Sequence, residues 1–220
     1  MEKHKPTSLS EQVFFKLEED IINGTYPRGS WLSENMLVES LGVSRTPIRE
    51  AIFRLQEEHL VDITPKGILV LGVTNEDLVD IYEIRVRIEG LAAAFCATNA
   101  SDEDLKELTD TLRLQEYYVG LHDADNIKSF DSSFHEIIYR LCGSAVLRDI
   151  LLPLHKKVQK YRKVSVESNS RATHSLEEHK AIYEAIVAHD PIRAEEAMRH
   201  HVSNAKAHIE LYSGIQPQNQ

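Results

Sequence analysis

Apolar residues recur along this chain at spacings whose character changes near residue 73. Before that point, short runs at helical spacing alternate with turn signals. Leu9, Val13, Leu17 and Ile21 form an i, i+4 stripe that stops at Asn23-Gly24, which predicts a helix over 8–23. After the turn Tyr26-Pro27-Arg28-Gly29, Ser33 is placed to cap a short helix over 34–41 that Gly42 ends. Ser44 is placed to cap the next helix, whose inward stripe is Ile48, Ala51, Ile52 and Leu55. Pro47 falls in its first turn, where a missing N–H costs little. Residues 61–64 and 68–73 read as two strands joined at Pro65-Lys66-Gly67. The front of the chain is therefore expected to hold three helices and a two-stranded wing.

From Asn75 onward the pattern is helical throughout. Segments 75–98, 102–121, 126–142, 146–164, 176–188 and 191–211 carry apolar faces at helical spacing, with breaks expected at Gly143, Pro153 and the Ser/Asn-rich run 165–170. Ser175 and Glu178 have the spacing of a capping box for the segment that starts at 176. The fold class expected is mainly α, with a winged helix-turn-helix domain over 1–73, an all-helical bundle of six or seven helices over 74–213 and a disordered tail over 214–220.

Composition narrows the function classes. The N-terminal ten residues have no apolar core of the secretory kind, and the longest apolar stretch, 90–97, is too short to span a bilayer. Cys96 and Cys142 are the only cysteines and form no C-x-x-C pair, which argues against a disulfide framework or a thiolate metal site. A cytoplasmic chain with no membrane partner is expected. The net charge is −10, made up of −3 over residues 1–72 (8 Lys+Arg, 11 Asp+Glu) and −7 over the rest (17 Lys+Arg, 24 Asp+Glu). Any nucleic-acid contact by the front domain must therefore rely on a local basic patch.

Such a patch is present. Helix, Gly-containing turn, helix is the arrangement in which a second helix enters the major groove. Arg45 and Arg49 lie one turn apart opposite Ile48 and Ile52, with Thr46 beside them. Arginine grips guanine or phosphate with two donors, and threonine reaches a phosphate or a thymine methyl. Ser44 leaves a helix N-terminus open to a phosphate, Arg54 adds a further charge, and Lys66-Gly67 form the wing tip. The run from Leu41 to Ala51 (Leu-Gly-Val-Ser-Arg-Thr-Pro-Ile-Arg-Glu-Ala) resembles the signature of the GntR family of bacterial regulators, and the similarity covers residues 8–73. The resemblance implies double-stranded operator DNA as partner, with Arg45, Thr46 and Arg49 on the DNA and Lys66-Gly67 at the wing. Asn35 departs from that pattern, because the family has an arginine there, and the departure predicts one phosphate clamp fewer.

The rear half concentrates metal-ligating side chains on apolar faces. Asp131 and His135 are i, i+4 along the edge of the stripe Ile127, Phe130, Phe134, Ile137 and Leu141. His179 lies on the line of Leu176, Ile182, Tyr183 and Ile186. His201 shares the inward face of Met198, Val202, Ala205 and Ile209, whereas His200 falls on the polar side. One carboxylate and three imidazoles suit a borderline divalent ion, zinc first, with nickel or manganese as alternatives. The pattern Asp-x-x-Phe-His, then Glu-His, then Ala-Met-Arg-x-His is similar to the metal-binding type of FCD (FadR C-terminal) domain over 75–212. That resemblance implies the same four ligands: Asp131, His135, His179 and His201.

Arg85 sits on the inward stripe of its helix, four residues before Glu89. It reads either as a bridge to Glu89 or as a guanidinium fork for a carboxylate effector, and both hold if Glu89 orients it. The segment 82–89 looks like the family's opening helix, in which this arginine lines the pocket. The function expected is a homodimeric transcription repressor that binds a palindromic operator and responds to a small organic acid beside a metal ion. The alternatives are a metal-responsive or metal-stabilised regulator without organic effector and, further off, a metal-dependent hydrolase. The hydrolase lacks the second histidine of an H-E-x-x-H motif, because Tyr139 stands in its place.

Overall fold

A computed structural model describes residues 8–158 and 169–212 of the chain. The expected continuation of one helix past 158, most of the run 165–170 and the tail 214–220 lie outside the described residues. The chain divides into two compact units, Met1–Thr74 and Asn75–Gln220.

The first unit is built from α1 (Leu9–Ile22), β1 (Trp31–Leu32), α2 (Glu34–Leu41), α3 (Arg45–Glu57), β2 (Val61–Thr64) and β3 (Gly67–Val70). Ser8 and Ser33 cap α1 and α2, each accepting from a first-turn N–H at 3.2 Å. Gly42 ends α2 at φ +66°, a conformation that glycine adopts without steric cost. The stripes read from the sequence meet in one core of Val13, Phe14, Leu17, Ile21, Leu37, Ile48, Ala51, Ile52 and Leu55, closed by Ile68 and Val70 from the wing. Fully burying each of the larger side chains contributes on the order of 1.5–3 kcal/mol.

The wing has three strands rather than two, in the order β1-β3-β2 and antiparallel throughout. Two residues are too few to show alternation, so β1 left no periodic signal. The third strand also ends earlier than expected, at Val70, because the N–H groups of Leu71 and Gly72 turn back to the carbonyl of Leu60.

The second unit is helical throughout its described residues, with α4 (Asn75–Asn99), α5 (Asp102–Leu121), α6 (Ala124–Leu141), α7 (Ala145–Lys157), α8 (Asn169–Val187) and α9 (Pro191–Tyr212). Helix α4 is central and packs against α6, α7, α8 and α9, while α5 covers α6 and α8. Gly90 lets α4 and α9 approach, since a Cβ there would stand 2.9 Å from Glu195 Cγ and 3.0 Å from its carbonyl oxygen.

One expected break and one expected cap are absent. Pro153 lies inside α7, where the burial of Leu151 and His155 outweighs the lost N–H. Ser175 and Glu178 do not open a helix, because α8 is already formed from Asn169. Their side chains are used across the bundle instead: Ser175 donates to Asp131, and Glu178 accepts from Arg171 and Asn204. Capping-box spacing also occurs by chance within a helix, and tertiary partners decided its use here.

Candidate functional site

In the first unit, Arg45, Thr46 and Arg49 project from α3 on its exposed side. Arg45 Nη2 donates to Asn35 Oδ1 at 2.9 Å, and Arg49 Nε donates to both carboxylate oxygens of Glu34 at 2.9 Å. Asn35, where the sequence reading placed a missing clamp, is thus a buttress for Arg45. Exposed ion pairs contribute little net stability, so exchanging Glu34 for a phosphate or a base edge on Arg49 is cheap. The Ser44 side chain makes no capping bond to α3.

Arg54 is placed apart from these residues. Its guanidinium lies over the Phe14 ring, 3.9 Å from the centroid, on the side of α3 that faces α1. At the wing tip, Lys66 is exposed and Thr64 Oγ1 ties the turn, accepting from Lys66 N–H at 3.2 Å and donating to Gly67 O at 3.1 Å. Gly67 sits at φ +132°, and a Cβ there would stand 3.1 Å from Leu32 O, so its role is to let β1 and β3 pair at the turn.

In the second unit, α6, α8 and α9 bring three buried imidazoles together. His135, His179 and His201 are each at most 3% exposed. His201 Nε2 stands 3.2 Å from His135 Nε2 and 3.3 Å from His179 Nε2. Asp131 Oδ1 lies 3.6 Å from His179 Nε2 and accepts from Ser175 Oγ at 3.2 Å. His200 is exposed.

The outward nitrogens are equally organised. His135 Nδ1 lies 2.6 Å from Glu89 Oε1, His179 Nδ1 2.9 Å from Gln115 Oε1, and His201 Nδ1 2.7 Å from Glu178 Oε2. Each ring thus has a side-chain oxygen beside Nδ1, an arrangement that turns Nε2 inward. One nitrogen from each ring lies within 4.8 Å of the other two, and His201 Nε2 is 3.2–3.3 Å from both of its neighbours. Ligand atoms about 2.0–2.1 Å from a tetrahedral ion stand roughly 3.3–3.4 Å apart, close to the two distances from His201 Nε2, so these residues could hold a zinc-like ion.

Behind His135 lies a second buried cluster. Glu89, fully buried, takes Arg85 Nε at 2.8 Å and Nη2 at 3.3 Å, and Tyr139 Oη donates to it at 2.5 Å. Tyr139 Oη is also 3.3 Å from His155 Nδ1. Burial opposes the charge on Glu89, but Arg85 and His135 outweigh it and hold the carboxyl well below its usual range. Burial likewise opposes the charge on Arg85, and Glu89, Tyr139 and Tyr82 overcome it. Arg85 Nη1 and Gln115 Nε2 are buried donors without a hydrogen-bond partner. The Arg85–Glu89 bridge is therefore formed, with one guanidinium nitrogen, Nη1, left over.

Sequence reasoning missed Gln115, His155 and the true use of Glu178 and Tyr139. Gln115 had a signal, since it continues the inward stripe Leu105, Leu108 and Leu112 as its only amide. Both cysteines are buried, and burial pushes the Cys96 thiol up to about 12, which removes it as a thiolate ligand.

The FCD domain family matches residues 80–204, and the family described as bacterial regulatory proteins, gntR family, matches residues 9–70. An HTH-type transcriptional regulator of Bacillus subtilis (strain 168), YdhC, is 28% identical over 208 residues, 93% of this chain and 92% of that protein. The gluconate operon transcriptional repressor of the same organism is 26% identical over 188 residues, 83% of this chain and 77% of that protein. Among solved structures, E. coli McbR/YncC shares the fold with a TM-score of 0.79 at 23% identity, over 94% of this chain and 99% of that one. No helix among the described residues is long and apolar enough to cross a membrane.

Proposed function

The chain belongs to the gntR family of bacterial regulators and carries an FCD domain, and from that premise we propose a homodimeric repressor controlled by a small organic acid held beside a divalent ion. Its class is that of a DNA-binding transcription regulator, not an enzyme. The operator is read as pseudo-palindromic, because a two-fold protein presents its two reading helices to two half-sites about one helical turn, or a multiple, apart. It works with that DNA in the cytoplasm.

The observation that supports the sensor reading is the grouping of three buried imidazole nitrogens with Asp131 at their edge. Three nitrogens and one oxygen favour zinc or nickel over manganese, which prefers oxygen donors. The charge count then favours an anionic effector. Arg85 cancels Glu89, and Arg171 cancels Glu178, so Asp131 alone opposes the ion and about one positive charge is left over. Arg85 Nη1 offers that anion a buried donor.

A thermal-shift screen of small carboxylates, with and without Zn²⁺, tests this reading. An effector at 100 times its Kd should add about 2.7 kcal/mol of apparent stability, and only in metal-loaded protein. Arg85→Lys, which keeps a charge for Glu89 but loses the fork, should abolish that shift while still binding Zn²⁺. If Zn²⁺ stabilises the protein and no carboxylate adds to it, the regulator without organic effector is the better reading.

On the DNA side, Arg45→Ala should weaken binding to an operator selected from a random duplex library by roughly ten- to a hundred-fold, and nonspecific binding far less. Lys66→Ala should weaken both alike and lower the salt slope by about one unit. Isotherms on operator and scrambled duplexes at several salt concentrations separate the two, and an unchanged operator affinity for Arg45→Ala would remove α3 as the reading helix.

A further inference from the structure

The carboxylates that hold His135 and His201 are themselves held, each by one buried arginine. Arg171 Nη1 and Nη2 donate to Glu178 Oε1 and Oε2 at 3.0 and 2.9 Å, and Asn204 Nδ2 donates to Oε1 at 2.8 Å. On the opposite side Arg85 grips Glu89 with Nε and Nη2. The arginine and glutamate side chains are 10% and 13% exposed in the first pair and 1% and 0% in the second. Gln115, behind the third histidine, has no such anchor in its amide Nε2.

We propose that Arg171–Glu178–His201 and Arg85–Glu89–His135 are two matched relays, in which an arginine fixes a carboxylate and the carboxylate fixes an imidazole with Nε2 turned inward. Arg171, Glu178 and Glu89 are then positioning residues of the ion-binding site, and this rests on the divalent-ion reading above. The physical need is specific. A glutamate left to itself beside a dication would lose little by turning to ligate the ion. A guanidinium fork engages both oxygens, and Tyr139 on Glu89 or Asn204 on Glu178 adds a further donor, so the carboxylate is held facing the ring and not the ion. Each relay is also electrically neutral, so it orients a ligand without adding charge to the site.

The relay on α8 spans two turns of one helix, from Arg171 to Glu178, next to the ligand candidate His179. That helix therefore supplies one imidazole and aims another that belongs to α9. A sequence reading cannot pair residues seven apart with a histidine 23 positions further on; only the packing of α8 on α9 does so.

The α8 relay is the one to test, since Arg171, unlike Arg85, is not proposed to touch the effector. Full-length protein stripped by chelator is titrated with Co²⁺, whose visible ligand-field bands report coordination geometry, and the affinity for Zn²⁺ is found by competition. Arg171→Ala and Glu178→Gln should each weaken Co²⁺ by roughly 10–100-fold and alter the bands. Arg171→Lys should recover part of both, and circular dichroism with thermal unfolding of the ion-free variants checks that they fold. If the folded variants bind Co²⁺ with wild-type affinity and wild-type bands, the relays are overturned and the ion site stands. If wild-type protein takes up neither Co²⁺ nor Zn²⁺, the ion site falls and the relays with it. Should Arg171→Ala not fold, Arg171→Lys and Glu178→Gln decide alone by the same criterion.

Discussion

Glu89→Ala is expected to destabilise the ion-free protein by about 3–5 kcal/mol. The carboxylate is fully buried and is the common partner of Arg85, Tyr139 and His135. Removing it leaves the Arg85 guanidinium, 1% exposed, as an uncompensated charge inside the bundle. Taking away one member of a buried pair costs far more than replacing both by apolar residues, because the orphaned charge keeps its full desolvation penalty. Arg85→Met combined with Glu89→Leu should therefore recover most of the loss, with Tyr139 and His135 still short of an acceptor. Urea unfolding of the single and double variants, followed by circular dichroism, checks both statements. A Glu89→Ala protein within 1 kcal/mol of wild type would show that water reaches Arg85 and that the pair is not sealed.

The second large effect belongs to the adjacent histidines of α9. His201→Ala should weaken divalent-ion binding by more than about 100-fold, because losing a ligand exceeds the 10–100-fold cost of disturbing its supports. His200→Ala should keep the ion. Neighbours on a helix are separated by about 100°, so one of the two faces inward and the other cannot. His201 is 3% exposed and holds contacts to both other imidazoles, whereas His200 is on the surface beside Asn204. Elemental analysis of both purified variants after equal chelator treatment measures the contrast, and an empty His200→Ala protein would require the site to be redrawn on the opposite face of α9.

That the phase of α9 could be read from Met198, Val202 and Ile209 shows where sequence is sufficient. Apolar spacing reports which side of an element meets its neighbours, so the helices of both units and the inward positions of Arg85, His135, His179 and His201 follow from period alone. The boundaries that came out best are those with a local chemical stop, as at α5, which runs from the Ser101–Asp104 capping box to His122 at φ +56°. Similarly, the run around Arg45 and Arg49 carries its meaning within eleven consecutive residues, and no packing is needed to see it.

What period cannot carry is the identity of partners across elements. Strand β1 exists only because β3 offers it an edge. Arg54 left the reading face because Phe14 of α1 offered its ring, and Asn35, read as a lost clamp, became the support of Arg45. Glu178 and Ser175 carry the spacing of a helix cap yet lie within α8, one aimed at His201 and the other at Asp131. The acceptors behind the three imidazoles come from α4, α5 and α8, at separations of 46, 64 and 23 residues from the rings they hold. A buried polar group must find a partner wherever the fold puts one, and the cost of leaving it unpaired is settled by packing rather than by its neighbours in sequence.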